Sequence, residues 1–131
     1  MSEFVSLMNL KATSLKMSKT RFSNPHGMDM INNYSCCEDV LLMAQEGMRD
    51  PDFREIVQTK KYKGTFKNFN GGKIICKPII WANTNKLLSR DDVIGLKTGI
   101  TSKAGGCLST TFLTSDNQEG IIITLGSSST E

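Results

Sequence analysis

Apolar residues at the start of the chain recur at helical spacing. Phe4, Met8, Ala12 and Leu15 share one stripe with Val5 beside it, which predicts a helix over residues 3–15. Lys11, Ser14 and Lys16 then face water. A helix so close to residue 1 has almost no capping segment ahead of it, so the natural element is expected to begin upstream. Residues 16–33 lose the periodicity and read as loop, with Asn24-Pro25-His26-Gly27 as a turn cluster. A second helix is expected to open with Ser35 as N-cap and Glu38 as its capping-box partner, and to bury Val40, Leu41, Ala44 and Met48. Asp50-Pro51 restarts a short helix, cap followed by first helical position. Phe53, Ile56 and Val57 are expected to pack inward from it.

The texture changes after Val57. Residues 59–66 form a strand of mixed pattern, ended by the polar cluster at 67–72. Residues 73–80 give a weaker strand interrupted by Pro78, and residues 81–85 read as a loop leading to Leu87 and Leu88. Three strands follow with short connections, at 93–98, 106–113 and 120–125, the last containing Ile121-Ile122-Ile123. Residues 114–120 have the composition of a hairpin turn, and the serine-rich tail from 126 is expected to fray. Helices first and antiparallel strands last define an α+β fold without internal repeats.

Composition narrows the class. The 131 residues suffice for one domain with a modest core, and 38% hydrophobic with 22% charged residues is a globular balance. A net charge of +3, with lysines scattered rather than gathered on one helix face, does not argue for nucleic acid. No apolar stretch reaches the length of a membrane span, and no secretory signal is visible at Met1-Ser2-Glu3-Phe4. Of the cysteines, Cys36, Cys37, Cys76 and Cys107, no pair has Cys-x-x-Cys metal spacing, so neither a metal nor a cofactor is expected. A disulfide framework and the redox compartment stay open. Cys107 reads as a small buried hydrophobe of its strand.

The most informative chemistry is Lys97-Thr98-Gly99, at the end of one apolar strand and just before another. A Lys-Thr-Gly triplet so placed is one of three elements of penicillin-recognising serine acyl-transferases, beside Ser-x-x-Lys and Ser-x-Asn. None of the chain's 13 serines has a lysine three positions on, so the nucleophile element is absent from it. Ser115-Asp116-Asn117 spells Ser-x-Asn but falls in the expected hairpin turn, and is read as turn chemistry.

An ordered series of stretches extends the match. They are Phe4-Val5 with Met8-Asn9 and Lys11-Ala12, Thr20-x-Phe22, Asn24-Pro25-His26-Gly27, Tyr34-Ser35, Pro51-x-Phe53-Arg54, Asn83-x-Asn85-x-Leu87-Leu88, Gly95 to Thr101, and Ala104-Gly105-x-Cys107-Leu108. Together they resemble the later half of the catalytic domain of the serine-type D-alanyl-D-alanine carboxypeptidases, the low-molecular-weight penicillin-binding proteins. The resemblance implies a partial β-lactamase/transpeptidase-like fold, with the two missing motifs expected upstream. It also implies acyl transfer on peptidoglycan stem peptides, with a β-lactam as an alternative ligand, once an upstream half completes the site. Lys97 would then supply a cation for the substrate carboxylate, Thr98 a hydroxyl, Gly99 room for substrate along the strand, and the N–H of Ile100 one oxyanion donor. The family's sheet places an N-terminal strand beside the last one, a neighbour that this chain does not supply.

Other polar residues are read more plainly. His26, the single histidine, invites a general-base role but sits where it would orient a turn. Asp91 and Asp92 are read as solvated acids. Met8, Met43 and Met48, and Trp81 by default, are assigned to packing. Two functions compete: part of an acyl-transfer enzyme, inactive as this chain alone, or a non-catalytic descendant serving as a binding or structural subunit of a larger assembly.

Overall fold

In the computed structural model, residues 2–70 and 73–128 are described. Three helices, α1 (Ser2–Ser14), α2 (Cys37–Gly47) and α3 (Pro51–Gln58), precede the strands β1 (Lys61–Asn70) and β2 (Lys73–Ala82). A 3-10 turn at Lys86–Ser89 leads to β3 (Val93–Thr101), β4 (Gly105–Leu113) and β5 (Glu119–Ser127). The last three strands form one antiparallel sheet in the order β3-β4-β5, while β1 and β2 pair as a separate antiparallel ribbon. The segregation of helices from antiparallel strands is the expected α+β architecture.

Helix starts follow local chemistry in one case and tertiary contacts in the other. The Asp50 carboxylate accepts the Phe53 N–H at 3.0 Å and Pro51 occupies the first helical position, so α3 is capped as its sequence predicts. The capping box expected at α2 does not form. Its N-cap is Cys36, which makes no side-chain cap bond. The Ser35 hydroxyl shares a hydrogen bond with that of Thr20 at 2.7 Å, and Glu38 pairs with Lys19 at 3.1 Å. The cause is the loop before α2, which folds back on the helix. Buried Asp39 accepts both the Lys19 N–H and the Thr20 hydroxyl at 2.7 Å, and this draws Ser35 away from the helix axis.

The core lies between α2, α3 and one face of the sheet. Ala44, Met48, Val57 and Leu96 are buried together, with Ile94, Ile121 and Ile123 packed against them. Alternation along β5 sends Ile121 and Ile123 inward and leaves Ile122 54% exposed. α3 can lie this close because Gly95 has no side chain: a Cβ there would stand 3.1 Å from Val57 Cγ2. Only Val57 of the expected trio is buried. Phe53 lies against Gly47, and Ile56 is 70% exposed, because a helix touching the sheet along one line buries the side chain on that line, here Val57, and not those to either side of it. Met43 is likewise exposed, whereas Met48 is buried as expected.

Four other expectations change. β2 runs straight through Pro78, which pairs with Thr65, and continues through Trp81 and Ala82. In a two-stranded ribbon each strand has a free edge, so a missing N–H can be directed outward at no cost to the ladder. Trp81 is not core but stacks across the ribbon on Tyr62, with ring centroids 6.0 Å apart and planes at 26°. The polar residues 67–70 belong to β1, and 71–72 lie outside the described residues. β5 extends through Ser127, so the tail is ordered further than expected, and residues 129–131 lie outside the described residues. Residues 114–118 form the expected turn, with the Thr114 hydroxyl taking the Gln118 N–H at 3.0 Å. Among the described residues β5 pairs with β4 alone.

Leu96→Ala should destabilise the chain by about 2–5 kcal/mol, because it opens a cavity between α2, α3 and the sheet. Ile122→Ala, on the exposed face of β5, should change stability by less than about 1 kcal/mol. Urea unfolding of both variants, followed by circular dichroism, checks this; equal losses would contradict the core as drawn.

Candidate functional site

β3 presents Lys97, Thr98, Gly99 and Ile100 in succession, opposite Ser109, Leu108, Cys107 and Gly106 of β4. Lys97, Gly99 and Ile100 are exposed and Thr98 is half-buried. β3 is an edge strand among the described residues, so backbone groups along its outer side are available to an added strand. The Lys97 ammonium donates to the carbonyl of Thr98, which holds the cation against its own strand. A Cβ placed on Gly99 would meet nothing within 4 Å, so the space beside the strand is open there.

Two asparagines fix the strand from behind. Asn83 donates to the carbonyls of Val57 at 3.3 Å and Thr59 at 3.2 Å, and accepts the Asn85 N–H at 2.9 Å. Asn85, buried, accepts the Leu87 N–H at 3.1 Å and donates to the Gly95 carbonyl at 3.0 Å. The residue between them, Thr84, is thereby set against β3, and its hydroxyl lies 2.5 Å from that of Thr98. Thr84 is a site residue that the sequence reading did not single out; its only local signal is its place inside the Asn-x-Asn stretch.

A second support holds the far end of β3. Asp29 accepts the Thr101 hydroxyl at 2.6 Å, the Ser102 hydroxyl at 3.1 Å and the Lys103 N–H at 3.1 Å. Thr101 in turn accepts the Ala104 N–H at 3.0 Å. The Thr101 hydroxyl, then the Lys103 N–H and the Ser102 hydroxyl, hold the Asp29 carboxyl below the usual aspartate range. Asp29 carried no sequence signal. Its loop is shaped by buried Asn24, which accepts the Gly27 N–H at 2.8 Å and donates to the Met28 carbonyl at 2.9 Å. His26 sits exposed in this turn, with Nδ1 3.3 Å from the Met28 N–H, as a turn-orienting residue.

The other candidates lie off the outer edge of β3. Asp92 pairs with Arg90 at 2.7 Å just before β3. Cys107 lies in β4 but is only half-buried, because the sheet there faces an open trench instead of a helix. That trench, of ≈960 Å³, runs between α1, the loop before α2 and the end of β5, and is lined by apolar side chains including Phe4, Met8, Phe22, Met43 and Leu125. Cys36, Cys37 and Cys107 are free thiols, and among the described residues no three His, Cys, Asp or Glu side chains converge as metal ligands. No described helix is long and apolar enough to cross a membrane.

An open edge strand bearing an ammonium, a hydroxyl and a glycine suits an extended peptide ending in a carboxylate. Comparison with known proteins defines the family. Residues 1–129 match the D-alanyl-D-alanine carboxypeptidase family, and the chain belongs to it. It is 34% identical over 128 residues to D-alanyl-D-alanine carboxypeptidase DacF of Bacillus subtilis, covering 96% of this chain and 31% of that protein. It is 36% identical over 106 residues to the D-alanyl-D-alanine carboxypeptidase of a Streptomyces species, covering 80% and 36%. The crystal structure of a Streptomyces DD-transpeptidase superposes with a TM-score of 0.85 at 32% identity, over 97% of this chain and 48% of that one. The fold is therefore that of the DD-peptidases. The chain spans about a third of the length of these curated relatives and about half of the solved structure.

The pH response of the Asp29 clamp follows from its depressed pKa. Its contribution is present in full above the ordinary aspartate value of 3.8 and is lost as pH falls through the lower folded value. Stability curves of the wild type and of Asp29→Asn should therefore differ at neutral pH and converge in acid. A gap that persists into strong acid would contradict the clamp.

Proposed function

We propose that this chain is the C-terminal, substrate-facing portion of a serine-type D-alanyl-D-alanine carboxypeptidase catalytic domain. It would act on peptidoglycan stem peptides only when joined by a portion bearing Ser-x-x-Lys and Ser-x-Asn. The observation that carries this reading is the open β3 edge, where Lys97 and Gly99 are exposed and Thr98 half-buried while Thr84 and Asp29 brace the strand. The apolar trench supports it as well. A patch of this kind is costly to leave in water and suits the remaining part of the same domain, in the same or a second polypeptide.

In the completed site the serine hydroxyl attacks the carbonyl between two D-alanines. The terminal D-alanine leaves, and water then releases the acyl-enzyme. Lys97 offsets the negative charge of the substrate carboxylate and assists proton transfer, once released from the Thr98 carbonyl. The Thr98 hydroxyl, oriented by Thr84, donates to the same carboxylate. The open side of Gly99 admits the substrate backbone, and the Ile100 N–H serves as one of two oxyanion donors. A β-lactam, whose ring carbonyl and carboxylate imitate this substrate, would acylate the same serine. The second reading, a non-catalytic binding subunit, draws on the same trench and on the lack of Ser-x-x-Lys in the sequence.

Alone, the chain should neither hydrolyse D-alanyl-D-alanine peptides nor form a penicilloyl adduct. Mass spectrometry after incubation with penicillin checks this, and a stoichiometric adduct on one of its own serines would refute it. When an upstream portion carrying the nucleophile is supplied, Lys97→Ala should slow acylation by on the order of a hundredfold or more. His26→Ala should have a far smaller effect. Failure of the supplemented protein to acylate at all would favour the binding-subunit reading.

A further inference from the structure

The chain's modest net charge conceals a strong asymmetry. Residues 60–82 hold six lysines and no aspartate, glutamate or arginine. The other ten cationic residues are outnumbered by the chain's thirteen acids, so the +3 total divides into +6 on this segment and −3 on the rest. The structure turns the segment into a projecting element, since β1 and β2 pack chiefly on each other. Lys60, Lys61, Lys63 and Lys77 are exposed, and among the described residues no carboxylate forms an ion pair with them.

The lysines have apolar companions. Cross-strand partners share a face, so Lys63 stands beside Ile80 on one face and Tyr62 beside Trp81 on the other. Ile80 is 65% exposed, and the stacked Tyr62 and Trp81 are exposed as well. We propose that this ribbon is a docking surface for an anionic phospholipid bilayer. The Tyr62–Trp81 face, which also carries Lys77, enters the headgroup boundary, while Lys61 and Lys63 of the opposite face reach lipid phosphates round the ribbon's edges on their flexible stems. A soluble polyanion would engage the lysines and leave the aromatic pair in water. A nucleic acid would gain little from rings already stacked on each other, and the ribbon lacks the arginines that read phosphate bidentately. The inference stands apart from the acyl-transfer reading, since it uses no residue of β3.

Trp81 is the only tryptophan of the chain, so its emission reports on this ribbon directly. The test is co-sedimentation with vesicles of phosphatidylcholine containing phosphatidylglycerol, against phosphatidylcholine alone, at low and high salt. A tube without vesicles corrects for self-association. Binding is expected to the anionic vesicles only, to weaken with salt, and to shift Trp81 emission to the blue. The variant Lys61→Glu, Lys63→Glu, Lys77→Glu, all at exposed positions, should reduce partitioning by about a hundredfold or more. Circular dichroism verifies that it remains folded. Equal binding to neutral vesicles, full binding by the charge-reversed variant, or binding with unchanged Trp81 emission would each overturn the proposal. So would equally tight, salt-sensitive binding to a DNA duplex in place of vesicles.

Discussion

The buried carboxamide of Asn85 joins the elements on which the site depends. Its oxygen caps the 3-10 turn and its nitrogen donates to the carbonyl of Gly95 on β3. That carbonyl needs the partner because β3 is irregular there: its pairing with β4 shifts register between Val93 and Gly95. The place is also buried, with Val57 packed against the glycine. A buried carbonyl left unpaired at such a point costs about 1–3 kcal/mol. Asn83 adds the end of α3 to the same cluster, so helix, turn and strand are joined by two side chains. Thr84, between them, inherits its position against Thr98 from this arrangement.

The parts of this design that announce themselves in the sequence are local. The Asp50-Pro51 cap, the three final strands and the hairpin turn at 114–118 depend on neighbouring residues, and each stands close to where its pattern places it. Lys97 to Ile100 were legible because a short motif carries them. What escaped was set by distant contacts. Ser35 has the chemistry of a cap, but Thr20 and Asp39 redirect it. Pro78 breaks the pattern of a central strand, yet the ribbon has none. Thr84 meets Thr98 fourteen residues away, and Asp29 meets Thr101 across seventy-two, separations over which no periodicity carries information.

The charge asymmetry shows the same limit. Lysines that look scattered along a string share one element once the string doubles back as a ribbon, because antiparallel pairing sets Lys61 opposite Ala82 and Lys63 opposite Ile80 and brings Lys77 onto the adjoining strand opposite Phe66. Likewise, α1 shows one apolar stripe in sequence, but Phe4 on that stripe is exposed, and so are Leu7 and Leu10 beside it. A helix with so much exposed apolar surface suits enclosure by further structure. The trench beside it belongs to the same unmet surface.

The loop between α1 and α2 has a mechanical consequence. Paired backbone bonds between Arg21 and Tyr34 close its base, and Asn9 of α1 grips Phe22 through both its N–H and its carbonyl. Near its tip, Asp29 grips the corner after β3. The loop is thus a tie rod with one end bolted to α1 and the other to Thr101, one residue beyond Ile100. A tilt of α1 would be passed along this loop to the strand edge that bears Lys97 to Ile100, which ties the lie of the helix beside the trench to the aim of that strand.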